Sequence, residues 1–212
     1  MALIKGNARS SSALDATILT GNLPAISGAS LTGIASDFVL IKTVTLGSSV
    51  AYVDFINGTS GVVFDGTYKK YKLFVTNLNL WNSGNVFGVR FFVSGSINSE
   101  SVWNVVGTGR ESDNSEHSTS NSSGMDYGRL ATRGTAYSST QNQIVEMTFD
   151  DPTISRYKAV ICHEGGWNGN DYAGAFISCA VWKKSDTVNG IRVMPSAVNF
   201  DTGVFSLYGI KS

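Results

Sequence analysis

The chain has 212 residues, formal net charge zero and only 15% charged residues, with no basic stripe of the kind an electrostatic nucleic-acid binder needs. Hydrophobic residues make up 42% and aromatics 11%, and a chain of this size buries roughly 70% of its unfolded surface. No apolar run approaches the ~20 residues of a membrane span, so membrane insertion is not expected.

Residues 1–36 carry no aromatic side chain and are rich in Ser, Ala, Gly and Thr. MALIKGNARSSSALDA lacks a continuous apolar stretch, so it does not read as a secretory signal. Leu14, Ile18, Leu19, Leu23, Ile26, Leu31 and Ile34 recur as thin apolar anchors. Gly21, Gly28, Gly33 and Pro24 forbid one long helix, and the spacing is irregular for a heptad. Such a ladder of small residues cannot bury itself alone; it can do so against copies of itself. A disordered Gly/Ser arm is the alternative.

From residue 37 the texture changes to strands. FVLIKTVTL (38–46), VAYVDFI (50–56), YKKYKLFVTNLNL (68–80) and VFGVRFFVSGSI (86–97) are β-branched and aromatic. QIVEMTF (143–149), RYKAVICHE (156–164), AGAFISCAVWKK (173–184), GIRVMPSAVNF (190–200) and GVFSLYGIK (203–211) follow. These nine segments, bounded by turn residues, predict an all-β antiparallel sandwich of jelly-roll type over 37–212, behind a separate segment over 1–36. Residues 107–141 are polar and break the rhythm, so they are expected to form a functional or mobile loop, with room for an irregular strand around 126–131.

LDATILTGNLPAISGASLTGI (14–34) resembles the shaft-linker segment of bacteriophage tail-fibre and other virion fibre proteins, and FDTGVFSLYGIKS (200–212) is similar to the closing strand of their β-sandwich heads. The resemblance covers only the two ends of the chain. It implies a homotrimer, assembled in the host cytoplasm and resident in the virion, that adsorbs to a host surface or decorates the particle. It implies attachment to other tail or capsid proteins through the N-terminal segment, with Leu14, Leu19, Leu23, Ile26, Leu31 and Ile34 as the assembly residues. No binding site carries over, because heads of this family differ in their loops.

Catalytic and metal chemistry find little footing. In a strand, Cys162 and His163 face opposite sides, so the Cys-His-Glu run is not a metal site. Asp150-Asp151-Pro152 is a turn-starting sequence, and Glu164 beside Gly165-Gly166 reads the same way. No nucleophile elbow or P-loop is present, so no catalytic residue or cofactor is assigned. HEGGWNGNDYAGA (163–175) is different. Trp167 and Tyr172 stand among Asn168, Asn170 and Asp171, an aromatic platform ringed by amides and a carboxylate, as a sugar face requires. Trp81, followed by Asn-Ser-Gly-Asn, is a second loop of this kind. Either tryptophan could instead cover a sandwich end or a subunit boundary. Trp103 and Trp182 sit in strand-like context and are assigned to core or interface. Strands 156–164 and 173–184 are expected to form a hairpin with Cys162 and Cys179 on one buried face, both as thiols.

The leading expectation is thus a short tail fibre or fibre tip that binds a host surface receptor, a glycan before a protein. The alternative is a capsid-decorating or tail-adaptor protein that docks on another virion protein without receptor binding. A free carbohydrate-binding module and a glycan hydrolase rank below both. A version starting near Ala35 is expected to stay folded, by circular dichroism and thermal melting, while losing particle incorporation; an insoluble, unfolded product would place the segment inside the head's core.

Overall fold

A computed structural model of the chain describes residues 37–80, 86–130, 142–167 and 172–211. The N-terminal segment, including all six assembly residues, lies outside them. The described residues hold thirteen strands and no helix. In chain order they are β1 (Phe38–Thr45), β2 (Val53–Ile56), β3 (Lys70–Leu80), β4 (Phe87–Val93), β5 (Ser96–Ile97), β6 (Trp103–Glu111) and β7 (Glu116–Met125). Then come β8 (Gly128–Arg129), β9 (Gln143–Asp150), β10 (Lys158–Trp167), β11 (Ala173–Trp182), β12 (Val188–Pro195) and β13 (Phe200–Ile210).

Two sheets stack as a sandwich. The larger has eight strands in the order β1-β13-β3-β9-β10-β11-β6-β7; the smaller has five, β2-β12-β4-β5 with β8 also on β4. The pairings are antiparallel. The all-β antiparallel sandwich expected from the strand texture is therefore the architecture found.

Alternation builds the core. Along β10, Lys158, Val160, Cys162 and Glu164 are buried while Ala159, Ile161 and His163 are exposed. Leu73, Val75, Met147, Val160 and Leu207 of the large sheet meet Phe55, Val89, Phe91 and Ile191 of the small one. Phe91 lies between Trp103 and Trp182, with ring centroids 5.1 and 5.5 Å away, and is 6.5 Å from Phe149. Phe149 continues to Tyr71 at 5.3 Å and to Phe64 at 6.1 Å. Trp103 and Trp182 face each other in register across β6 and β11, so both belong to the core.

Residues 107–125 are not the loop expected. Residues 107–111 finish β6, and residues 116–125 form β7, the edge strand of the large sheet. Gly107 and Gly109 look like strand breakers, yet a Cβ at Gly109 would come within 2.0 Å of the Phe176 ring. That glycine makes room for a neighbour's aromatic ring inside a continuous strand. β7, EHSTSNSSGM, has few β-formers and is held by its ladder to β6. Residues 126–131 do supply a short strand, β8. β4 and β5 were expected as one strand; Ser94 and Gly95, with φ of 50° and 79°, turn the chain between them.

The β10–β11 hairpin forms as expected, but its register separates the two cysteines. Cys162 pairs with Ser178, and Ile161 with Cys179. Cys162 faces the core, and burial pushes its thiol well above the ordinary range. Cys179, one residue out of phase, lies on the opposite face and is half-buried. Hairpin length, not sequence alternation alone, sets that offset.

Phe91→Ala is expected to cost about 3–5 kcal/mol in denaturant unfolding, because it opens a cavity between two tryptophans. Lys184→Ala, which removes solvent-accessible ion pairs with Glu100 and Asp186, is expected to stay within about 0.5 kcal/mol of wild type.

Candidate functional site

The tip of the β10–β11 hairpin is built by close backbone approach. Trp167 ends β10 and pairs with Ala173, the first residue of β11. Its N–H donates to the Asn142 carbonyl at 3.1 Å. One residue earlier, Gly166 has φ +150°, and a Cβ there would come within 2.4 Å of that same carbonyl oxygen. Gly166 is thus what lets the tryptophan's strand press against the start of β9.

Two further supports flank the tip. On one side, the Asn142 side-chain amide reaches Asn77 Oδ1 at 3.4 Å, and Thr202 Oγ1 donates to the Asn77 carbonyl at 2.9 Å. On the other, the Ser112 N–H donates to the Ala173 carbonyl at 2.8 Å, and the Ala173 N–H donates to Ser112 Oγ at 3.2 Å. Ser112 belongs to a tight β6–β7 turn in which Asp113 Oδ1 accepts from the Ser115 N–H and hydroxyl at 2.9 and 2.5 Å. Asn114 adopts φ +68° there, a conformation asparagine tolerates.

Trp167 is 43% and Tyr172 37% exposed, whereas Trp103 and Trp182 are fully buried. The structure therefore brings two of the six expected receptor residues to one hairpin tip. Asn168, Asn170, Asp171 and Trp81 lie outside the described residues. An exposed indole beside fixed amides and hydroxyls can stack on an apolar ring face and hydrogen-bond its hydroxyls.

Two polar groups, Glu164 and Lys158, have roles that sequence reading missed or misread, while Asp151 keeps the turn role read from sequence. Glu164 does not start a turn; it is buried within β10 and accepts from Gln143 Nε2 at 3.4 Å. Its alternation with Val160 and Cys162 carried that signal. Lys158, also buried, donates to the carbonyls of Ile154, Arg156 and Asp186 at 2.5, 2.6 and 3.2 Å. Burial is the main cause that lowers its ammonium pKa, while Asp151 and Asp186 oppose the shift. The same alternation places Lys158 on the inward face, but its three backbone acceptors could not be read from the sequence. Asp151 is engaged as a turn carboxylate: its Oδ1 accepts from the Thr153 N–H and hydroxyl at 2.9 and 2.6 Å, and Lys69 Nζ lies 3.2 Å from Oδ2.

Cys162 and His163 do face opposite sides of β10. Among the described residues no group of three or more His, Cys, Asp or Glu side chains is placed to hold a metal ion. The chain matches no protein-family model and no curated protein.

Burial works against ionisation of Asp151, but the Thr153 and Lys69 hydrogen bonds outweigh it and hold the carboxyl below its usual range. With a folded pKa below the unfolded value of about 3.9, its stabilisation is complete above that value and is lost as pH falls through the folded pKa. Asp151→Asn is expected to lose about 1–3 kcal/mol at neutral pH and to show a shallower acid limb in stability-versus-pH titrations.

Proposed function

We propose that this protein is the receptor-binding head of a short virion fibre and that it grips a host surface glycan with the tip of the β10–β11 hairpin. The observation that carries this reading is the exposed pair Trp167 and Tyr172 on a tip clamped to β9 and to the β6–β7 turn. A core-forming tryptophan would be placed like Trp103 or Trp182. A sugar-stacking one must stay in water yet be held rigidly, so that little conformational freedom is lost on binding. The shaft-like segment at 14–34 supports the virion context, with attachment to other virion proteins at that end and three copies per fibre.

Soluble protein is expected to block phage adsorption and to bind selected host glycans on an array. Trp167→Ala and Tyr172→Ala are each expected to weaken glycan binding about tenfold or more, equivalent to roughly 1.4 kcal/mol, with unchanged melting temperature. Binding to capsid or tail but not to cells would replace this reading with the adaptor alternative.

A further inference from the structure

We propose that the outer face of the eight-stranded sheet is a contact surface for a second copy of this chain. Val106, Ile144, Ile161 and Ile177 are 53, 54, 44 and 45% exposed there. Register sets them together: Ile161, Cys179 and Val106 lie in one row across β10, β11 and β6, and His163, Ile177 and Thr108 lie in the next. Between these aliphatic side chains runs a shallow groove of about 280 Å³. On the other half of the same face, Phe38 stacks on Tyr208 at 4.8 Å, and Phe74 meets Tyr208 edge-on at 5.7 Å.

Size, charge and chemistry choose the occupant. Eight strands spaced about 4.8 Å apart and up to eleven residues long make a face of roughly 34 by 35 Å, above the ~800 Å² per partner that a stable interface uses. The groove offers methyl groups and one thiol, so it suits a β-branched side chain better than a hydroxylated ring. Two ion pairs, Lys72–Glu146 and Arg110–Glu116, bracket the aliphatic rows on opposite sides. Each presents both signs. A second copy laid against this face can set each lysine or arginine against the other copy's glutamate, a complementary pattern. A partner of one sign, such as nucleic acid or an anionic membrane, finds no net charge to select it on a chain whose formal charge is zero.

This inference does not rest on the glycan reading, and its test is separate. Full-length protein is expected to sediment as a multiple of 22.6 kDa at micromolar concentration. Cys179, on this face, is expected to alkylate slowly in the assembly. The double variant I161K/I177K is expected to label at Cys179 at least tenfold faster than wild type, whether or not residues 14–34 keep the copies together, and to leave buried Cys162 unlabelled as the sign of an intact fold. Should the lysine pair label at Cys162, the milder I161T/I177T pair carries the same comparison. A monomeric wild-type protein would overturn the proposal. So would folded variants that stay associated with Cys179 still protected.

Discussion

The contact between Phe91 and the paired indoles of Trp103 and Trp182 ties the two sheets together, and the registers on either side follow from it. Phe91 comes from β4 of the small sheet; the tryptophans come from β6 and β11 of the large one. The chain of rings continues through Phe149 to Tyr71 and Phe64, so one aromatic seam crosses the interior. Large rings allow little adjustment. A slip of one residue in β11 would turn Trp182 and Ala180 outward and bring Val181 and Cys179 in. Glycine serves the same seam where β8 passes it: a Cβ at Gly128 would come within 2.7 Å of the Trp103 ring.

Once those inward positions are fixed, the outward ones have no freedom. Ile161, His163, Ile177 and Cys179 face away from the core because Val160, Cys162, Ala180 and Trp182 face into it. The hairpin tip inherits the same rigidity. Trp167 is held by its pairing with Ala173 and by Asn142, and Ala173 is held in turn by Ser112. The strand ends that flank the tip, Trp167 and Ala173, are therefore parts of the sheet. Recognition surfaces built on strands in this way are placed more sharply than those on free loops.

Much of this was legible in the residues, and the failures share one cause. Strands with β-branched and aromatic runs, such as β3, β4 and β13, announce themselves. β6 and β7 do not: Gly109 yields space to Phe176, and β7, poor in β-formers, is held by its backbone ladder to β6. The same holds at the site. The composition around Trp167 marked a sugar-like platform, and the structure leaves that tryptophan exposed. The supports of Asn77, Asn142 and Ser112 could not be read locally, because they come from residues 25 or more positions away in sequence. The cysteine offset was equally hidden, as alternation names the two faces of a strand without saying which residue of the partner stands opposite.

The tip and the outer face ask different things of the same sheet. A glycan site gains from polar neighbours and standing water, which the Asn and Ser supports supply at the strand ends. A homotypic contact gains from methyl groups and the absence of water, which Ile161, Ile177 and Val106 supply at mid-strand. In the arrangement proposed above, separating the two along the strand axis would let copies associate through the middle of the sheet while leaving the ends open. The balanced charge matters here as well. With no net field, encounters between copies gain little from long-range steering, so association depends on close apolar fit and on short-range pairs such as Lys72–Glu146. Screening by salt would weaken those pairs but leave contacts between methyl groups untouched.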